Sequence, residues 1–265
     1  MVEALGALDI AASVEIWDAP SVDWSIFDLV VLRGTWDYTE RRDEFLAWAR
    51  SVPRLANPSA VAEWNTDKTY LADLAAAGIA TIPTTWLHPD APIALPPGEI
   101  VVKRAISAGA RGSGRYGPGD RAAARDHVVR LQAAGHTVLV QPYFAAVEVS
   151  GEHGLVYLGD RYSHTIAKPA ALDRRGPHGD DEPNHELVVA ATPSDAERAF
   201  AETVLAAIPG GRRNLLYARV DVVADAAGNP ALMEAELTEP GLYLRRAARS
   251  PDRFARAVAN WLARP

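Results

Sequence analysis

Apolar positions recur along this chain with two periods, and the switches between them lay out its elements. VEALGAL (2–8) reads as the tail of a helix, SVEIW (13–17) as a strand, and FDLVVLRG (27–34) as a buried, nearly continuous apolar strand. DEFLAWARSV (43–52) is helical, and Asn57-Pro58 predicts a cap followed by a first-turn proline. TDKTYLADLAAAG (66–78) predicts a helix with Tyr70, Leu71, Leu74 and Ala75 on one face and Gly78 as its stop. IATIPTTWL (79–87) is extended and leads into the proline-rich linker HPDAPIALPPG (88–98). A strand EIVVKRA (99–105), a glycine-rich loop SAGARGSGRYGPGD (107–120) and a helix (121–135) capped by Asp120 follow.

TVLVQPY (137–143) is the next strand, and LVYLGDRYSHTIAKP (155–169) a hairpin turning at Gly159-Asp160. Residues 170 to 189 are polar and rich in Pro and Gly, the pattern of a mobile loop. Ser194 with Glu197 forms a capping box for the helix that follows. LLYARVDVVADAAGNPALMEAELTEP (215–240) is a hairpin turning through Gly228-Asn229. A last helix starts with Ser250 as cap and Pro251 at its first position. There is no internal repeat.

The leading α–β–β–α order suits an open α/β domain. Such domains usually begin with a strand, whereas this chain starts inside its first helix. The first strand is therefore expected to be missing, through a truncated or misassigned start.

Composition narrows the function. A formal charge of −7 argues against a nucleic-acid protein, because phosphate backbones select for basic faces. No apolar run approaches a membrane span, and the acidic N-terminus lacks the basic head of a signal peptide, so a cytoplasmic setting is expected. With no cysteine, disulfides, thiolate metal sites and a cysteine nucleophile are excluded.

Candidate chemistry gathers in the last hairpin. Strand periodicity sends Glu234 and Glu236 to one face, and a turn between Ala227 and Gly228 sets Asp221 opposite Glu234. Opposed like charges destabilise a sheet unless a cation lies between them. Oxygen-only ligands of this kind suit Mg²⁺, especially when phosphates complete its shell. The simpler alternative is a solvated face with Glu236 paired to Arg219. Lys68 sits in the first turn of its helix, the wrong end for a cation. Lys103 interrupts an apolar strand and leads into the glycine-rich loop, whose backbone N–H groups can wrap a phosphate; ordinary surface lysines and a flexible surface loop are the alternatives. Gln141-Pro142 by itself reads as a plain strand end, with a free backbone edge that can read an adenine rim as the alternative. His178, Asp180, Asp181, Glu182 and His185 form a further cluster of metal-ligating types, without regular periodicity.

The order of these pieces resembles the ATP-grasp family: two lysines, a glycine-rich loop, a Q-P-Y hinge and a D…E-x-E-x-x-E-P hairpin, over roughly residues 55 to 245. LRGTWDY (32–38) and the NTDK stretch look most like the cyclo-ligase branch that closes O-ureido-serine to cycloserine; glutathione synthetase is a more distant likeness. The resemblance implies an α/β (α+β) ATP-grasp fold: a small open α/β N-terminal substrate domain over 1–88, then an ATP-grasp domain over 89–265. Within the latter, about 89–140 would carry the lysine and glycine loop, and 141–265 the metal ligands.

It also implies roles. Lys68 and Lys103 would hold the ATP phosphates, and the Ser107 to Arg115 loop, with Ser107, Gly109 and Gly112, would fold over them. Gln141 and Tyr143 would meet adenine, and Glu148 or Glu152 the ribose. Asp221, Glu234 and Glu236 would bind two Mg²⁺ ions; Glu236 stands where the wider family carries asparagine. Lys168 and Arg219 would stabilise the transferred phosphoryl group. Arg33, Thr35, Trp36 and Asp37 would dock the acceptor, with core packing as the alternative for Trp36. The implied reaction activates a small-molecule carboxylate as an acyl phosphate, which an amine-type nucleophile displaces. Two alternatives are a nucleotide-binding regulator without turnover and a small-molecule kinase without ligation. A homo-oligomer is compatible with the resemblance.

Overall fold

The computed structural model describes residues 1–264 except 171, 173, 174 and 178–186. The predicted cluster at His178, Asp180, Asp181, Glu182 and His185 lies outside the described residues, as does most of the loop expected over 170 to 189.

The chain opens with α1 (Val2–Gly6), and its first sheet is a parallel pair, β1 (Val30–Val31) beside β2 (Leu55–Ala56), joined through α2 (Arg42–Ser51). Helices α3 (Ser59–Asn65) and α4 (Tyr70–Ala76) follow, then β3 (Thr85–Leu87), β4 (Ile100–Arg104), β5 (Gly114–Tyr116), α5 (Arg121–Ala133) and β6 (Val138–Pro142). A short α6 (Val147–Ser150) precedes the hairpin β7 (Glu152–Leu158) and β8 (Arg161–Lys168). Next come β9 (Gly176–Pro177), β10 (Val189–Ala191) and α7 (Asp195–Ala207). The hairpin β11 (Tyr217–Ala224) and β12 (Pro230–Glu236) and the helix α8 (Ser250–Leu262) complete the chain.

Two antiparallel five-stranded sheets result, ordered β3-β6-β4-β5-β9 and β10-β8-β7-β11-β12. The first packs Ile100, Val102, Val138 and Val140 against Ala124 and Val128 of α5. The second is covered on both faces. Leu155, Val220 and Leu232 meet Tyr70, Leu71 and Leu74 near α4 and Val204 and Leu205 of α7. Val156, Leu216 and Tyr217 meet Phe254 and Val258 of α8 and Leu5 of α1. A separate aromatic core, with Trp17, Tyr38 and Phe45, holds the leading segment.

Several local expectations shift. SVEIW is not a strand: Val14 and Ile16 are exposed, only Trp17 is buried, and no described strand pairs with it. The apolar run at 27–34 contributes only Val30 and Val31 to a sheet, because β2 offers two partners. Asn57 is no cap. It is fully buried, donates to the Tyr217 and Leu237 carbonyls at 2.9 and 2.7 Å, and accepts from Leu216 N. Lys68 precedes α4, whose first residue is Tyr70, so the argument from the helix dipole falls away. The second half of the glycine-rich loop is strand β5. Asp120 accepts from Gly117 N instead of capping α5, and Ser250 lies inside α8, its hydroxyl donating back to the Leu244 and Ala247 carbonyls. The β7–β8 hairpin and the Ser194/Glu197 capping box form where the pattern puts them.

Candidate active site

The last hairpin supplies the acids. Asp221 opposes Glu234 and Arg219 opposes Glu236, by a route the symmetric turn does not give. Ala224 pairs with Pro230, one residue short of the symmetric register, and a bulge at Met233 restores the offset before Glu234. On the neighbouring strands Glu152 opposes Lys168, and Gly154 opposes Asp221. Gly154 leaves the room these groups occupy: a Cβ there would stand 2.9 Å from Asp221 Oδ1 and 3.0 Å from Arg219 Cδ.

Each acid on this face meets a base. Arg219 grips Asp221 through Nε at 2.8 Å and Nη2 at 2.9 Å, pairs with Glu236, and donates Nη1 to the Gly241 carbonyl at 2.8 Å. Lys168 pairs with Glu152 and lies 2.7 Å from Asp221 Oδ2. Lys103 comes from the other sheet. Its neighbours Ile100 and Val102 point under α5, so it takes the opposite face and reaches Glu234 Oε1 at 3.0 Å. Lys68 donates to the Ser107 carbonyl at 2.5 Å and lies 3.9 Å from Glu234 Oε2.

Burial sets the electrostatics here. It works against charge on Asp221, yet Arg219 and Lys168 hold that carboxyl well below the usual range. It works against Glu234 as well, where Lys68 and Lys103 prevail. Burial lowers Lys68 and raises Glu236 despite Arg219. Glu239 rises as well: burial, then the neighbouring Glu236, push it up to about 8 against Arg33 and a hydrogen bond from Trp36.

A cleft of about 480 Å³, counted to its open mouth, is lined by Lys68, Ser107, Gly109, Glu234 and Glu236 together with Trp36, Tyr38 and Glu239. Gly109 and Gly112 both hold left-handed φ, near +61° and +64°, in the loop joining β4 to β5. Gln141 is buried, with its side-chain amide on Thr84 Oγ1 at 2.9 Å. Tyr143 lies under the Arg115 guanidinium, 3.6 Å from its ring centre, and donates to Glu148 at 3.0 Å. Arg115 also meets Glu148 at 2.7 Å and Glu99 at 2.9 Å. The two candidate ribose ligands thus part: Glu148 goes to Tyr143 and Arg115, Glu152 to Lys168 and Asp221.

In the leading segment, Arg33 Nη1 and Thr35 Oγ1 are buried with no hydrogen-bond partner among the described residues. Asp37 does not line the cleft. It accepts from the Trp17 indole at 3.0 and 3.2 Å and faces Arg41 at 3.7 Å. Residues that the sequence reading left out also converge here. Asn65 and Tyr70 bind the backbone of β12 at Ala235, and Tyr38 and Glu239 line the cleft. Glu239 carried a signal as the third acid of EAELTEPG, and Tyr38 and Asn65 stand in the LRGTWDY and NTDK stretches.

The donor set fits magnesium. Asp221, Glu234 and Glu236 offer oxygen only, and one or two carboxylates with phosphate oxygens are its common protein setting. Among the described residues no three of His, Cys, Asp and Glu converge on one cation position, so such an ion would be held jointly with a nucleotide. No helix of the described residues is long and apolar enough to cross a membrane.

Residues 1–57 match the family described as D-cycloserine synthetase DcsG, N-terminal domain. The cycloserine biosynthesis protein DcsG of Streptomyces lavendulae is 37% identical over 278 residues, covering 99% of this chain and 92% of the relative. The crystal structure of D-cycloserine synthetase DcsG superposes with a TM-score of 0.88 at 35% identity, covering 98% of this chain and 93% of that one. A RimK domain ATP-grasp protein from Sphaerobacter thermophilus shares the fold, with a TM-score of 0.64 at 19% identity over 97% of this chain and 93% of its own.

Proposed function

The chain belongs to the cycloserine synthetase (DcsG) family of ATP-grasp enzymes and is an ATP-dependent ligase; from this premise we propose how its residues divide the reaction. A carboxylate oxygen of an amino acid derivative attacks the γ-phosphorus of ATP, and the bond to ADP breaks as the acyl phosphate forms. A nitrogen of the same molecule then attacks the acyl carbon and phosphate leaves, closing a ring. The observation that carries this reading is the contact between Lys103 on one sheet and Glu234 on the other. A nucleotide entering there would take Lys68 and Lys103 onto its phosphates and free Glu234 in exchange.

Asp221, Glu234 and Glu236 would hold magnesium, two ions in our reading, which supplies charge neutralisation on the phosphate oxygens. Lys168 and Arg219 would face the phosphoryl group in transfer. The Ser107 to Arg115 loop, with Gly109 and Gly112, would cover the phosphates, and Gln141 with Tyr143 would border adenine. For the ribose we favour Glu152, which sits on the same sheet face as Lys168 and Asp221, over Glu148, which Arg115 already engages. Arg33, Thr35 and Trp36 would meet the acceptor. We keep the division of the chain at 88/89 as part of this reading, and a cytoplasmic setting, where ATP is at hand.

Thermal unfolding with ATP plus Mg²⁺, and with each alone, tests the site in the wild type and in Glu234→Ala. A ligand at one hundred times its Kd adds roughly 2.7 kcal/mol. Stabilisation by the pair beyond either alone, lost in the variant, is expected; equal shifts in both proteins would remove Glu234 from the metal. Product analysis with O-ureido-serine then reads the chemistry. Free phosphate with a condensed product is expected, and a stable phospho-product would make the enzyme a kinase.

A further inference from the structure

The acceptor end of the cleft carries a carboxylate that neither the nucleotide nor the metal reading uses. Glu239 lines the cleft beside Trp36 and Tyr38, accepts a hydrogen bond from the Trp36 side chain, and feels Arg33 and Arg219 as neighbouring cations. Its backbone is firmly held. The Thr238 carbonyl accepts from Tyr217 Oη at 2.8 Å, and the Gly241 carbonyl accepts from Arg219 Nη1 at 2.8 Å. A side chain on so fixed a segment keeps its aim, which is what recognition of a small ligand requires.

Its surroundings are incomplete in a definite way. Arg33 Nη1 is buried without an acceptor among the described residues, although the carboxyls of Glu239 and Glu236 act on this guanidinium. Buried donors are nearly always satisfied, so an orphaned one calls for a partner that brings its own acceptor. A carboxylate ligand is such a partner. Glu239, an acceptor when ionised, calls for the opposite: a cation or an N–H donor. An α-amino acid carries both groups on one carbon. We propose that Glu239 is a specificity-determining residue that binds the α-ammonium of the acceptor, orienting the carboxylate toward Arg33 and Arg219.

This assignment rests on the acceptor site described above, and it moves the substrate-reading acid from Asp37 to Glu239. Asp37 is occupied by the Trp17 indole and stands outside the cleft lining.

The test compares ADP release with O-ureido-serine and with its des-amino counterpart, in which hydrogen replaces the α-amino group. Wild-type enzyme is expected to prefer the amino compound in kcat/KM by a hundredfold or more, as sites built around a substrate N–H do. In Glu239→Gln that preference should shrink about tenfold or more, the scale of a lost charged hydrogen bond. The KM for ATP and the stabilisation by ATP with Mg²⁺ should stay within twofold of wild type. Should the glutamine variant fail to fold, Glu239→Asp carries the same comparison, with a smaller loss. A preference that survives in the variants overturns the assignment alone. Absence of turnover with either compound in the wild type overturns the acceptor reading and this assignment with it.

Discussion

The hairpin face of the cleft and the end near the leading segment handle buried charge in opposite ways. On the hairpin face, Asp221 has both Arg219 and Lys168, Glu234 has Lys103, and Glu236 has Arg219. At the other end, Arg33 keeps a guanidinium nitrogen without a partner among the described residues, and burial with the repulsion of Glu236 pushes Glu239 up to about 8. The first arrangement is a closed set that, in the reading proposed above, a nucleotide would open by exchange, phosphate for carboxylate and metal for lysine. The second leaves a donor unmatched, which in the same reading the acceptor would complete.

Removing one base from each end gives the sharpest contrast. Arg219→Met leaves Asp221 and Glu236 buried beside fewer cations and should cost about 3–5 kcal/mol of unfolding free energy in urea. Arg33→Met removes a cation with an orphaned donor and should cost no more than about 1 kcal/mol. Equal losses would erase the distinction between the two ends.

The next contrast concerns the joint between the regions. Asn57, just past β2, makes three side-chain hydrogen bonds to the backbone around β11 and β12. Asn57→Ala leaves those groups buried without partners and should cost roughly 2–4 kcal/mol. It should also weaken ATP binding less than it destabilises the fold, as paired unfolding and nucleotide titrations would read. A full loss of nucleotide binding in a folded variant would mean that the two ends are not separable.

The last contrast is in pH. Glu239 binds its proton more tightly in the folded chain, at about 8, than at its ordinary value of 4.5. Its contribution is therefore complete below about pH 4.5 and lost as pH rises toward 8. Asp221 runs the other way: its carboxyl is depressed on folding, so its contribution is present above its ordinary value of 3.8 and lost in acid. Between pH 5 and 8 the stability of wild type relative to Glu239→Gln should fall by roughly 3–4 kcal/mol. Parallel pH curves for the two proteins would show that Glu239 is compensated after all.

Much of the hairpin face was legible because strand periodicity and a short turn act locally. Arg219, Asp221, Glu234 and Glu236 share a face for reasons contained in twenty residues, although the true register needs the bulge at Met233, which no alternation announces. Lys103 was legible as a misfit in an apolar strand. Lys68 was singled out for a helical position that it does not hold, since α4 starts at Tyr70. The other end was harder to read. Glu239 meets Arg33 and Trp36 from some two hundred positions away, and Asp37 looked available only because Trp17 lies beyond its local pattern. SVEIW had the alternation of a strand without a neighbour to pair with, and strand preference is decided by such neighbours. Glycine content hid β5, whose Arg115 and Tyr116 pair with β4.

β12 is the last strand of its sheet, and a strand in that position is ordinarily a template on which a second chain can add itself. Here the outer rim is taken. Tyr70 Oη accepts from Ala235 N, Asn65 spans the Ala235 carbonyl and Leu237 N, and Leu232 exchanges bonds with Ala80 and Ile82. The same side chains that fix the acids in the cleft therefore guard the molecule against aggregation. Loss of the Asn65 or Tyr70 side chain would bare the edge that carries Glu234 and Glu236, and its expected first sign is self-association.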